Sequence, residues 1–438
     1  MGNLATPLSV QKLQTALHAK AKENPGFRFY ALYDKLYRAD VLQYAYACCK
    51  ANQGVAGVDG ERFEDIEAYG VNRWLGELAQ ELREKRYKAQ AVRRVFIPKR
   101  SGQGRRPLGI PSIRDRTTEM AAVLVLGPIF EADLQPEQHA YRPERNALTA
   151  VGQVHHLLNT GHAQIIDADL AAYFDSIPHV ELLKSVARRV VDRAVLHLVQ
   201  MWLQAPVEEA EERGRKQRTT RNRDEKRGTP QGSPLSPLLS NVYMRRFVLG
   251  WKQLGYAKRY NAHIVNYADD LVLCCQGNAE EALQAMRRIM TGLKLTVNEE
   301  KTHICRVPHE HFDFLGYQFG RFYTWTGKAY WGTRPSPKSV KRLIESIHEQ
   351  TDHRMCLLEA EDLVDNLNRK LRGWANYFKL GPVSRQYRRV DLYTKARLRR
   401  WLRYKHKIRG GGYSQFPDDY LYQRLGLIRL PALKRNLP

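Results

Sequence analysis

"IVNYADDLVL", residues Ile264 to Leu273, is an apolar run broken at its centre by two adjacent carboxylates, Asp269 and Asp270. An uncompensated charge inside a buried strand is costly, so the run reads as two strands meeting at a hairpin tip that carries the pair. Asp is a common turn residue, and taken alone the pair is compatible with a turn that does no chemistry. A second interrupted apolar segment changes that reading. In "IIDADLAAYFDSIPH", Asp169 closes a short strand and is followed by Phe174. Nucleotidyl transfer with two Mg²⁺ ions needs carboxylates from separate chain segments at one point, because hard divalent cations take oxygen ligands. Asp169 at a strand end and Asp269-Asp270 at a hairpin tip meet that need, with Asp269 read as a direct ligand and Asp270 as the second.

Composition narrows the partner. Lys and Arg number 71 against 46 Asp and Glu, a formal charge of +25 over 438 residues. A surface that repels itself so strongly calls for a polyanion, and nucleic acid is the usual one. With 43% hydrophobic residues the chain is globular, with room for more than one domain. The six cysteines form no CxxC pair, which argues against a zinc ribbon or a disulfide framework and suits reduced core residues of a cytosolic protein. The N-terminus is polar and no apolar run is long enough to span a bilayer, so neither export nor a membrane partner is expected. The start "MGNLAT" fits a myristoylation pattern, but so short a motif is cheap to match by chance.

Outward from the carboxylates, the chain reads as a helical start, a mixed middle and a helical end. In "VNRWLGELAQELREKRY", Trp74, Leu75, Leu78 and Leu82 keep helical spacing. "VRRVFIPKRSGQGRRPLGIP" alternates and is punctuated by Gly and Pro, which suggests two strands joined by a basic loop. There Lys99, Arg105 and Arg106 can fold over an incoming triphosphate, although a basic hairpin can equally be a solvated surface. Pro206 to Thr229 is nearly devoid of apolar residues, and reads as an exposed loop or partly disordered insertion. "RGTPQGSPLSPLLSN" looks like a tight turn entering a helix. Leu363, Leu367, Leu371, Trp374 and Phe378 step by three or four until Gly381-Pro382. A last helix is expected from Ser384 to Arg409, stopped by Gly410-Gly411-Gly412.

The motifs "FIPKRSGQGRRPLGIP", "HAYRPERNALTAV", "ADLAAYFDSIPH", "GTPQGSPLSPLLSN", "YADD", "LKLTVNEEKT" and "FDFLGYQF" follow the order of the reverse-transcriptase blocks of group II intron-encoded proteins. "LRGWANYF" with the basic helix "ARLRRWLRYKHK" is similar to their thumb, or maturase, region. The resemblance covers almost the whole chain. It implies an α+β, right-hand polymerase with fingers, a palm built on an antiparallel sheet, and an α-helical thumb. The implied division is 1–70 as a helical N-terminal extension, 71–330 as fingers and palm with 206–229 a charged loop insertion, 331–410 as thumb/maturase and 411–438 as a basic tail.

Carried over by position, the resemblance implies that Asp169, Asp269 and Asp270 hold two Mg²⁺ ions, with Mn²⁺ as a substitute. Phe174 matches the aromatic under the deoxyribose that selects dNTPs. Lys99 and Arg106, with Arg105 as their neighbour, match fingers residues that grip the triphosphate; Gln231 matches the nucleotide-pocket lining and Lys301 a basic position near the primer. Asp115, Arg116, Arg142 and His179 also match, and are expected to hold the fold. Arg397, Arg399, Arg400, Arg403, Lys405 and Lys407, interleaved with Trp401 and Tyr404, would contact RNA phosphates. The implied activity is RNA-directed DNA polymerisation on group II intron RNA, with intron RNA, DNA primer or target and dNTPs as partners, in the bacterial cytoplasm beside the nucleoid. A domesticated relative in repair or phage defence, or an RNA-binding maturase without polymerase activity, are the alternatives. Two departures stand out: the 206–229 segment is longer and more charged than usual, and "PQGSPLSP" replaces a "PQGG" pattern. No HNH-type nuclease follows the basic helix, which resembles the endonuclease-lacking class C type.

Overall fold

A computed structural model describes residues 4–98, 104–210, 216–324 and 326–433. The two interrupted apolar segments become neighbouring strands. β3 (Gln164–Asp169) lies between β7 (Asp270–Cys275) and β8 (His303–Arg306), and β6 (Ala262–Tyr267) completes an antiparallel sheet of order β6-β7-β3-β8. Successive side chains on a strand point to opposite faces, and here both faces are buried. Ile166, Ala168, Leu271 and Leu273 join the core shared with the N-terminal helices, whereas Ile165, Val272 and Cys274 face helix Ala147–Asn159 and the Phe312–Phe319 hairpin. This two-sided burial is why the strands read as continuous apolar runs rather than as alternation.

The helices before residue 70 do not stand apart. Leu8–Glu23 and Ala39–Ala51 pack on Ile113–Glu131, and Val10, Leu17, Leu42 and Ile66 enter the same core as the sheet. Asp115 is buried there, accepting from the Tyr87 hydroxyl (2.5 Å) and the Gln90 amide (3.0 Å). Arg142 donates to Glu131 and to the carbonyls of Gln135 and Gln138, Arg116 to the Val55 carbonyl, and His179 Nε2 lies 2.8 Å from the Gly228 carbonyl oxygen. All four hold loops against helices.

A second sheet carries β1 (Val92–Pro98) and β2 (Arg105–Ile110), and here the reading of 206–229 as a loop is corrected. β4 (Val207–Ala210) pairs parallel to β1, and β5 (Lys216–Thr219) pairs antiparallel to β4, giving the order β2-β1-β4-β5. The free edge of β1 needs backbone partners, and the segment supplies them however polar its side chains. Val207 is buried beneath, and Arg94 pairs with Glu209 at 3.0 Å.

The small sheet of β9 (Phe312–Phe314), β10 (Tyr317–Tyr323) and β11 (Ala329–Pro335) leads into the thumb. Helices Pro337–Gln350, Ala360–Tyr377 and Ser384–Lys405 enclose Leu343, Leu367, Leu371, Tyr387, Leu398 and Trp401. Gly381 lies at φ +78, where a Cβ would come within 2.1 Å of the Thr333 carbonyl oxygen, so the helix stop is also a close contact with β11. Two expectations shift. The last helix ends at Lys405, leaving Lys407 (φ 53) and Arg409 beyond it. Within the expected basic tail, the described residues up to 433 pack on the thumb: Phe416, Leu421, Leu427 and Leu430 are buried in its core, because a three-helix thumb of this size needs their apolar surface.

Candidate active site and nucleic-acid surface

The strand register sets the geometry of the carboxylates. Asp169, the last residue of β3, stands directly opposite Asp270, the first of β7, so their Cβ atoms are about 5 Å apart on one face of the sheet. Tyr267 and Asp270 close the β6–β7 hairpin around a two-residue tip, Ala268-Asp269, with Ala268 at φ 58. The buried Asn266 braces the tip by donating from Nδ2 to the Ala268 (2.9 Å) and Asp270 (3.3 Å) carbonyls. The register thus sets Asp270 straight across from Asp169 and puts Asp269 on the turn, a finer distinction than sequence spacing could make.

The carboxylates burden one another. Desolvation pushes the Asp270 pKa up to about 7, with Asp269, Asp167 and Asp169 adding repulsion and Lys301 opposing it. Asp167, two residues before Asp169 on the same face, is pushed up to about 6, again mainly by burial. Asp169 Oδ2 accepts from Lys301 Nζ (3.1 Å) and Asn298 Nδ2 (3.0 Å). Those residues arrive because 296–298 runs beside the end of β3, with the Asn298 amide donating to the Asp169 carbonyl at 2.8 Å. Among the described residues no three His, Cys, Asp or Glu side chains close tightly around a common point. The donor set itself, oxygen ligands carrying excess negative charge, is what a hard divalent cation requires.

The residues expected to meet a nucleotide come from three segments. Gln231 stands between Arg106 and Asp175, accepting from Arg106 Nε at 2.8 Å and donating from Nε2 to Asp175 Oδ2 at 3.1 Å. Its backbone is fixed as well: the Gly109 amide donates to the Gln231 carbonyl at 2.6 Å. The next residue, Gly232 (φ +128), has no room for a Cβ, which would lie 2.1 Å from the Gly109 carbonyl oxygen. Arg105 is exposed at the start of β2, and Lys99 lies outside the described residues. Phe174 is 6% exposed, edge-on to Tyr173, and its carbonyl accepts from the Thr229 amide. Tyr141, half exposed at φ 57, has its hydroxyl pKa raised by burial and by the nearby Asp269, while Arg106 opposes the rise. Asp175, Tyr141 and Asn298 were not found by sequence reasoning. Asp175 was within sight, inside "AAYFDSIPH", but its partner is 56 residues away.

The reverse transcriptase (RNA-dependent DNA polymerase) family matches residues 97–319, more than half of the chain. The chain belongs to the reverse transcriptase family. The maturase-specific domain of group II introns matches residues 340–415 of this reverse transcriptase. YkfC of Escherichia coli (strain K12) is 29% identical over 351 residues, covering 71% of this chain and 88% of that protein. The group II intron-encoded protein LtrA of Lactococcus lactis subsp. cremoris is 29% identical over 235 residues, 53% of this chain but only 37% of LtrA. The enzyme is therefore an RNA-directed DNA polymerase with a maturase domain behind it, of a family that works with divalent metal ions. Among the described residues no helix is long and apolar enough to cross a membrane.

The thumb of this reverse transcriptase sorts its cations into two groups. Arg397 donates to Thr351 Oγ1 and to the Thr351 and His348 carbonyls. Arg399, 3% exposed, donates to the Phe416 carbonyl and pairs with Asp418, and Lys405 donates to the Leu358 carbonyl beside Glu359. These three, read from sequence as RNA contacts, tie the thumb together, because a cation half-covered by protein needs protein acceptors. Arg400, Arg403 and Lys407 have no acidic partner among the described residues.

Proposed function

We propose that this reverse transcriptase copies group II intron RNA into DNA from a DNA primer, and binds the same RNA as a maturase while the intron splices. The observation that carries this reading is the cross-strand pair Asp169 and Asp270 with Asp269 on the adjoining turn, in a chain whose maturase-specific domain follows directly. In this reading 71–330 are fingers and palm and 331–410 the thumb. Asp169, Asp269 and Asp270 hold two Mg²⁺ ions, with Mn²⁺ able to substitute. Bound there, the cations supply charge that favours the primer 3′-oxyanion and the leaving pyrophosphate.

The chain's own residues do the rest. Asp169, which pairs with Lys301 at 3.1 Å, would be one of the residues holding a cation, and Lys301 beside it supplies a positive charge on the primer side. Arg106, aligned by Gln231, meets the triphosphate together with Lys99 and Arg105. Phe174 takes the sugar edge and disfavours a 2′-hydroxyl. Arg400, Arg403 and Lys407 contact intron phosphates, in the cytoplasm of a bacterium beside its nucleoid. A domesticated enzyme or a maturase lacking polymerisation has no observation in its favour.

The test is Asp269→Ala. Primer extension on poly(rA)/oligo(dT) should fall by at least a thousandfold while binding of intron RNA stays within twofold. Loss of both together would make Asp269 a structural residue and sink the assignment.

A further inference from the structure

Beside the basic helix Ser384–Lys405 lies a cavity of about 330 Å³, bounded by Arg399, Arg400, Arg403, Tyr404, Gly411 and Tyr413. We infer that this cavity is a pocket for one unpaired RNA nucleotide, its base on the tyrosines and its phosphate on Arg400 and Arg403. The inference rests on the RNA-binding reading above and goes beyond it by naming a site and the kind of nucleotide it takes.

The Gly410-Gly411-Gly412 run lies beyond the helix end at Lys405. Gly410 (φ +83) and Gly412 (φ +71) turn the chain back on itself, and a Cβ on Gly412 would stand 3.1 Å from Arg403 Cγ. That tight return brings Tyr413 over the helix. Arg399 fixes the ring: its guanidinium, held by the Phe416 carbonyl (2.8 Å) and Asp418 (2.5 Å), lies 4.2 Å from the centre of Tyr413. A buried cation anchored at two of its nitrogens therefore props up an aromatic plate that is 67% exposed. Such a plate is pre-organised for stacking, because its ordering cost is already met in the free protein.

The second wall supplies anion donors. Arg400 donates to the Tyr404 hydroxyl at 3.2 Å, which holds that ring, 44% exposed, at the rim of the same cavity. Arg403 lies over Tyr404 as well, and its Nε is buried without an acceptor among the described residues. A buried N–H left unpaired is unfavourable, and a phosphate or base oxygen in the cavity would satisfy it. Arginines alone would suit any duplex backbone. Two exposed aromatic faces beside them select a base whose own face is uncovered, as in a bulge, a loop or a flipped nucleotide. The volume is at the lower end of small-ligand pockets, enough for one nucleotide and too small for a helix.

The test uses the full chain and two RNA hairpins of one sequence, one fully paired and one with a single bulged 2-aminopurine, followed by anisotropy and by 2-aminopurine fluorescence. The wild-type protein should bind the bulged hairpin about tenfold more tightly, the order expected for one stacked base, and should quench the probe. Tyr413→Ala should abolish that preference while leaving the affinity for the paired hairpin within twofold, and Tyr413→Phe should keep it. Equal wild-type affinity for both hairpins, or equal weakening of both by Tyr413→Ala, would overturn the pocket and leave RNA binding intact. Failure to bind either hairpin would overturn the RNA-binding reading itself. Polyglutamate displacing the bulged hairpin as well as unlabelled RNA would make the cavity a general anion site, against the proposal.

Discussion

Replacing Asp270 by Asn should make the metal-free protein more stable and the enzyme inactive. Asp270 holds its proton up to about 7, against 3.8 for an ordinary aspartate. The groups facing it are Asp269 on the turn, Asp167 and Asp169 on β3, Lys301 ahead of β8, and the hydroxyl of Tyr267 on β6. An acid whose folded-state pKa lies above its unfolded value works against the fold once ionised. The penalty is absent below about pH 4, grows as pH rises, and is complete above about pH 7. For a fully buried group it would be about 4 kcal/mol; Asp270 is solvent-accessible, and screening discounts it to about 1 kcal/mol. Asp270→Asn should therefore melt about 2 °C above wild type at pH 8 in EDTA, with the gap narrowing to less than half by pH 5. Added Mg²⁺ should reverse the order, since a ligand at a hundred times its Kd stabilises by about 2.7 kcal/mol and the variant has lost a ligand oxygen's charge. Melting curves at both pH values, with and without Mg²⁺, check both halves. No gain for the variant in EDTA at pH 8, or equal stabilisation of both proteins by Mg²⁺, would refute the reasoning.

Three further outcomes follow from the geometry. Asp175→Ala removes the acceptor that orients Gln231 and, through it, Arg106; the KM for dNTP should rise about fivefold, from about 1 kcal/mol for an exposed charge-assisted hydrogen bond, with kcat within twofold in steady-state primer extension. Phe174→Ala should lower discrimination against rNTPs at least tenfold in single-nucleotide incorporation, and because the ring is 6% exposed it should also cost about 3 kcal/mol of stability in urea denaturation; unchanged sugar selectivity would remove it from the nucleotide pocket. Arg400→Gln with Lys407→Gln should weaken RNA binding and flatten its salt dependence by about 1 for each phosphate no longer neutralised, whereas Arg397→Gln should lower the melting temperature and leave the salt slope unchanged.

The palm is legible in the sequence because its chemistry contradicts its surroundings. Carboxylates inside apolar strands survive only where something offsets their charge, so "IIDADL" and "YADDLVL" declare themselves locally, and two-sided burial makes the strands continuous. The thumb helices are legible for a different reason: Leu363, Leu367 and Leu371 keep one face by spacing alone. The 207–219 hairpin is not, since its strands form through backbone pairing to β1 and carry almost no apolar signal. Charge counting along the last helix also misleads, because it cannot tell Arg399, bonded to Asp418 and Phe416, from Arg400, which meets no acid among the described residues.

By itself, then, the sequence marked the carboxylates that interrupt apolar strands and the segments that are buried, since both follow from residue type and short-range period. Only the tertiary structure decided that Asp270 rather than Asp269 stands across from Asp169, that Lys301 pairs with Asp169, that Gln231 links Arg106 to Asp175, and that Arg400, Arg403 and Tyr413 share a cavity. The physical reason is reach: strand register and ion pairing in the palm are set by partners more than a hundred residues away, the cavity by a chain reversal at Gly410 and Gly412, and no local pattern encodes which of several equivalent side chains will find a partner.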